Sequence, residues 1–172
     1  DFESRKKIIG SAEGWSPEVW ASMAEMGLLM IPFSADDGGF GGGATDMIAT
    51  MQAIGAGLVV EPFGSTILGG RLIAGAGSAA QREAFLPGVI DGSTKLAFAH
   101  TERESRYTLS QVEVKAAKSG DGWTLDGEKV VVLHGPMADR LIVSARTSGS
   151  AGDRDGISLF VVDPKAAGVS LK

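Results

Sequence analysis

The chain has 172 residues, enough for one or two small domains, and its 44% hydrophobic and 22% charged residues are those of an ordinary globular protein. A formal net charge of -5 with no basic stripe argues against a nucleic-acid partner, and no apolar run is long enough to span a bilayer. The absence of cysteine excludes disulfides and thiolate metal sites and fits a reducing cytoplasm, and the only histidines, His100 and His134, do not stand at metal-ligand spacing.

The sequence begins at Asp1 rather than Met and ends at Lys172 inside a run that reads as a strand, with no signal peptide in view. Both ends look cut, so a fragment of a longer protein is expected. Residues 2–9 read as the end of a helix and Gly10 to Gly14 as a break. Ser16-Pro17-Glu18 is a helix start, with a capping serine, a proline at the first helical position and an acid in the first turn. Val19, Trp20, Met23 and Met26 follow at helical spacing, and Gly27 is placed to close the helix. The glycine-rich stretch Ser34 to Gly43 lacks both the preceding strand and the Gly-Lys-Ser/Thr ending of a phosphate loop. It is expected to be a tight interhelical turn.

Thr45 is expected to cap the next helix, whose stripe of Met47, Ile48, Met51, Ile54 and Leu58 reads as core. Glu61-Pro62-Phe63 starts another helix, and its small residues Gly64, Ser65, Gly69, Gly70 and Ala74 would let a neighbour approach closely. Ser78 to Gln81 is a capping box, and Pro87 predicts a kink or an early end to the helix it opens.

From Thr94 the hydrophobic period changes to two. Val112, Val114 and Ala116 alternate with polar residues, Ser119 to Gly122 is a turn, and Asp126-Gly127 is a hairpin signal. Lys129 to His134 is a β-branched run expected to be a strand buried on both faces. Leu141 to Ala145 and Gly156 to Asp163 read as strands, residues 147–155 as a mobile loop, and Val169 to Leu171 as the start of a last strand. The fold class is therefore α+β: a helical domain over residues 1–93, then an antiparallel, barrel-like domain of about six strands over residues 94–172.

The two halves meet at Lys95-Leu96-Ala97-Phe98-Ala99-His100-Thr101-Glu102-Arg103-Glu104-Ser105-Arg106-Tyr107, an apolar strand that opens into hydroxyls and charges. Such a segment is a common wall of a ligand pocket. This stretch, together with Asp126-Gly127-Glu128-Lys129, Val130 to Pro136, Ala138-Asp139 and Val143 to Thr147, resembles the acyl-CoA dehydrogenase family in order and spacing. Within that family the wording of the AFAHTER and VVLHG segments is similar to that of pimeloyl-CoA dehydrogenase small subunits. The resemblance covers nearly the whole chain.

It implies a helical domain, a middle β-barrel and a C-terminal helical bundle, with FAD as cofactor and α,β-desaturation of an acyl-CoA thioester as the reaction. A dicarboxylyl-CoA such as pimeloyl-CoA is the substrate the closer likeness suggests. A glutamate takes the α-proton while the β-hydrogen leaves as hydride to the flavin. That glutamate belongs to the C-terminal bundle, so no catalytic residue and no metal ligand is expected here, and Glu61, Glu102, Glu104 and Glu128 are not promoted to the role. The implied cofactor-binding residues are Phe98 and His100 beside the ring, Thr101 at its pyrimidine edge, and Val131 and Leu133 where the family usually has Trp and Thr. For Thr101 the other reading is a strand-end hydroxyl, and for His100 a satisfied core histidine. Arg103 stands in place of the usual proline, and Arg106-Tyr107-Thr108 in place of Gly-Ser-Asp. Arg103, Arg106 and Tyr107 are thus substrate-side candidates, the arginines facing phosphates or a distal carboxylate, or else surface residues paired with Glu102 and Glu104. The implied partners are electron transfer flavoprotein and a second acyl-CoA dehydrogenase subunit in a homo- or hetero-oligomer. The departures at Val131 and Leu133 keep a second expectation open, a flavin-free partner subunit with an assembly role.

Overall fold

The computed structural model describes residues 2–172 and divides into two compact units, Asp1–Leu96 and Ala97–Lys172. The first contains five helices: α1 (Phe2–Ile9), α2 (Pro17–Glu25), α3 (Ala44–Ala56), α4 (Phe63–Ala76) and α5 (Ala79–Ile90). Local chemistry sets most of their ends. The Ser16 hydroxyl accepts the Val19 N–H with Pro17 at the first helical position, and the carboxylate of buried Glu61 accepts the Ser16 N–H at 3.1 Å. Ser78 and Gln81 form the reciprocal capping box of α5. The glycine-rich turn spends its backbone donors on the chain itself: the N–H groups of Phe40, Gly41 and Gly42 go to the carbonyls of Met30, Phe33 and Ile31. It is the tight turn expected of it. A Cβ on Gly39 would run into the Phe33 and Met30 carbonyls, which is why the chain needs glycine there.

The core of this unit gathers Trp20, Met23, Leu29, Phe33, Phe63, Ile67, Ile73, Leu86, Val89 and Leu96, all nearly inaccessible to water. Gly70 of α4 lies so close to Phe33 and Val89 that an added Cβ would stand 2.7 Å and 2.9 Å from their side chains. The small residues of α4 therefore do let α5 approach. Trp20 buries its ring and donates its indole N–H to the Gly92 carbonyl at 2.7 Å.

Three helical expectations need correction. The α3 stripe is not core: no residue of α3 is buried, and Ile48 and Met51 are exposed, as is Leu58 just beyond its end. Its cap is Gly43, whose N–H goes to the Asp46 carboxylate at 2.8 Å, so Thr45 lies one residue inside the helix. α5 does not end at Pro87 but runs on to Ile90. The proline removes one donor on the last turn without displacing the C-terminal bonds from Asp91 to the Pro87 and Val89 carbonyls.

The second unit is a sheet of five strands: β1 (Leu96–Ala99), β2 (Lys115–Ser119), β3 (Gly122–Asp126), β4 (Arg140–Arg146) and β5 (Ile157–Val162). β4 is its axis. It pairs antiparallel with β5 from Leu141↔Val162 to Arg146↔Ile157, and it also pairs with β1. A single parallel bridge, Lys115↔Arg146, joins it to the β2–β3 hairpin. The class is α+β as expected, with a mixed and unclosed sheet. The hairpin turn falls at Ser119 to Gly122, whereas Gly127 (φ +141°) ends β3, packed so that a Cβ would stand 2.8 Å from a Val114 methyl.

The expected strand over residues 129–134 does not form. The Val130 N–H goes to the Thr101 carbonyl at 2.9 Å, but the segment enters no strand ladder, and the backbone turns left-handed at Val131 and at His134. A β-branched run becomes a strand only where a neighbour pairs with it. The strand expected from Val112 starts later, at Lys115, because the N–H groups of Glu113 and Val114 bind the Glu102 carboxylate and that of Val112 the Ala151 carbonyl. Residues 147–155 are tied rather than loose, their carbonyls collected by Arg146. Among the described residues no strand follows Val162, and no helix is long and apolar enough to cross a membrane.

Candidate functional site

β1 alternates as a strand must. Ala97 and Ala99 enter the core beside Ala138, Leu141 and Val143. Phe98 and His100 therefore share the opposite face, half-buried, with ring centroids 4.6 Å apart and planes inclined by 33°. The Thr101 hydroxyl lies 3.4 Å from His100 Nδ1. Because the Thr101 carbonyl holds the Val130 N–H, the end of β1 and the segment carrying Val131 and Leu133 run side by side. Both of those side chains are largely exposed, at 76% and 69%. The structure thus gathers Phe98, His100 and Thr101 on one strand end and sets the 130–133 segment against it.

Beneath this shelf lies a buried ion pair that the sequence reading did not single out. Lys129 Nζ stands 2.6 Å from Glu102 Oε1, and each side chain is only 7% exposed. The same ammonium donates to the Ser144 hydroxyl at 2.9 Å and to the His100 carbonyl at 3.4 Å. Glu102 also accepts the Glu113 and Val114 N–H groups at 2.7 Å and 3.2 Å. The Ser105 hydroxyl closes the turn by receiving the Glu102 N–H and donating to the Glu102 carbonyl, both at 2.9 Å. A lysine opening an apolar run was the available signal, since burying its ammonium requires a buried acid.

These neighbours set the protonation states. Burial alone would raise the Glu102 carboxyl, but the Lys129 hydrogen bond and the two backbone donors reverse this and hold it below the usual carboxylate range. Burial lowers the Lys129 ammonium, with Glu102 offsetting part of the effect. His100 is lowered by burial and then by the Lys129 charge, so its imidazole is neutral at pH 7, with one donor and one acceptor to offer. His134 is likewise lowered by burial.

The substrate-side candidates sit elsewhere in this unit, on the exposed loop after Thr101. The Arg103 guanidinium pairs with Glu128 at 3.3 Å rather than with Glu102 or Glu104. Arg106 is exposed with a left-handed backbone (φ +45°), and the Tyr107 side chain stands entirely in solvent.

Among the described residues every buried side-chain nitrogen or oxygen is bonded. A ligand on this face therefore meets two tilted rings, one of them a neutral imidazole, together with two apolar side chains and one hydroxyl. A flat heteroaromatic with an apolar body and a polar edge suits that set, and the isoalloxazine of a flavin is such a group.

The family model described as "Acyl-CoA dehydrogenase, N-terminal domain" matches residues 5–93, and that described as "Acyl-CoA dehydrogenase, middle domain" matches residues 97–172. The chain is 32% identical over 158 residues to the caffeyl-CoA reductase-Etf complex subunit CarC of Acetobacterium woodii, covering 90% of this chain and 41% of that protein. It is 29% identical over 159 residues to acyl-CoA dehydrogenase FadE12 of Mycobacterium tuberculosis, covering 89% and 40%. Among solved structures, a variant of the Tcur3481-Tcur3483 steroid ACAD superposes with a TM-score of 0.85 at 31% identity, over 98% of this chain and 44% of that one. The chain thus spans about two fifths of the length of the curated relatives it matches.

Proposed function

The chain belongs to the acyl-CoA dehydrogenase family, whose members bind FAD, and from that premise we propose that the protein is an FAD-dependent acyl-CoA dehydrogenase desaturating the α,β-bond of an acyl-CoA thioester. The observation that carries the reading is the half-buried Phe98–His100 ring pair with the Thr101 hydroxyl at its edge. The bound flavin would supply the hydride acceptor that no side chain provides.

In this reading Phe98 and His100 give the ring an aromatic wall, and Val131 and Leu133 add apolar surface in place of the family's Trp and Thr. Thr101 and the neutral imidazole of His100 hold the polar edge, each able to donate and to accept. Arg103, Arg106 and Tyr107 lie on the substrate side, where the guanidinium groups suit CoA phosphates or the distal carboxylate of a dicarboxylyl-CoA such as pimeloyl-CoA. Arg103 would exchange its exposed Glu128 partner at small cost, since a solvent-facing pair is worth only about 0–1 kcal/mol. Electron transfer flavoprotein as acceptor, a second dehydrogenase subunit as partner and a cytoplasmic location complete the proposal.

The exposure and left-handed backbone at Val131 favour one second reading, a flavin-free subunit with an assembly role. An absorption spectrum of the purified protein separates the two, and addition of acyl-CoA under anaerobic conditions tests the substrate. A flavin band bleached by pimeloyl-CoA supports the full proposal. Bleaching only by monocarboxylyl-CoA discards the dicarboxylate, and a colourless protein in every preparation moves the reading to the assembly role.

A further inference from the structure

Resting on that flavin reading, we propose that Lys129 is a positioning residue for the cofactor shelf, its ammonium binding the end of β1 to β4 and to the turn after Thr101. The ammonium has three donors, and three acceptors from three segments take them: the Glu102 carboxylate, the Ser144 hydroxyl of β4 and the His100 carbonyl. Two of these acceptors bracket Thr101, one residue before it and one after. The peptide that carries the Thr101 hydroxyl is thereby held from both sides. Glu102 extends the brace to Glu113 and Val114 through their N–H groups.

Water does not substitute for these bonds, because neither side chain of the pair is more than 7% exposed. A buried ion pair contributes little net stability over an apolar pair of the same volume. What the apolar pair lacks is a directional hold on the His100 carbonyl. The charge also acts on the His100 ring, which Phe98 and the Thr101 hydroxyl flank. It opposes protonation there and keeps both an imidazole donor and an imidazole acceptor available to a neutral ring edge.

The test uses the full chain and three variants, K129M, E102Q and the double variant E102Q/K129M, with FAD titration followed by fluorescence and histidine titration followed by NMR. The protein has only two histidines, so H134Q assigns the His100 signal. K129M is expected to weaken FAD binding about tenfold, the effect of one charge-assisted hydrogen bond, and to move the His100 titration upward. E102Q is expected to weaken FAD binding without moving His100 upward. The double variant leaves no unpaired buried charge and is expected to fold, while keeping both the weak FAD binding and the raised titration. A folded double variant with wild-type FAD affinity overturns the proposal, as does a His100 titration identical in wild type and K129M. Wild-type protein that takes up no FAD overturns the flavin reading and the cofactor role of Lys129 with it. That outcome is distinguishable, because the histidine titration is read without FAD.

Discussion

Replacing Arg146 should unfasten the second unit. Its buried guanidinium donates through Nε to the Val112 carbonyl at 3.0 Å, through one terminal nitrogen to Ser148 and Asp155, and through the other to Ser110, Ala151 and Asp153. Six carbonyls thus share five N–H donors, so at least one donor is shared between two acceptors. They come from two loops, residues 110–112 and 148–155, which the side chain joins to the end of β4. In R146M the Val112 carbonyl is left buried without a donor, at a cost of about 1–3 kcal/mol. The other five are only partly buried and reach water as the loops loosen, so each loses roughly 0.5 kcal/mol, the low end for a net hydrogen bond. The sum is roughly 3.5–5.5 kcal/mol, the size expected when a buried network is broken. R146K keeps the charge but offers three donors from one point and should lose about half as much. Urea unfolding measures the loss, and amide exchange at Thr147, which donates to the Gly156 carbonyl, should rise with it. An R146M variant within about 1 kcal/mol of wild type, below the cost of one buried carbonyl, would show that the cage is incidental to stability.

Two further outcomes follow from the packing and the buried pair. The Glu102 carboxyl is depressed in the folded state, so its stabilisation is fully present above the unfolded carboxylate value of about 4.3 and is lost as pH falls through the folded value. Urea midpoints measured between pH 6 and pH 3 should therefore fall on acidification in the wild type and more gently in E102Q, and equal slopes would contradict the assignment. G70A places a methyl 2.7 Å from the Phe33 ring and 2.9 Å from a Val89 methyl, and should lower stability by about 1–3 kcal/mol in thermal or urea melts, the usual cost of overpacking.

The first unit was largely legible because short-range chemistry decides it. Ser16-Pro17, Ser78 with Gln81, and the glycines from Gly38 to Gly43 name their own turns and caps. The α3 stripe misled because helical periodicity shows that a face exists and not what covers it. The second unit was harder, since strands depend on distant partners. Val130 to Leu133 have strand-forming side chains, but the segment enters no strand ladder. Val112 to Val114 alternate correctly, yet two of the three donate to a carboxylate instead of a neighbouring strand. At the site, a strand opening into polar residues was legible around Phe98, His100 and Thr101, while a cofactor role for them rests on the family resemblance. Lys129 and Ser144 were not, because Lys129 meets Glu102 and Ser144 across 27 and 15 residues of chain and no local pattern records it.

The central claim is that the flavin ring rests against the Phe98–His100 pair, and the His100 ring proton tests it most directly. NMR spectra recorded during FAD titration of the H134Q protein contain a single histidine signal. A ring-current shift of that signal, saturating together with the flavin absorbance, is the result the account predicts. FAD that binds while the His100 signal stays unmoved would contradict it and place the cofactor elsewhere.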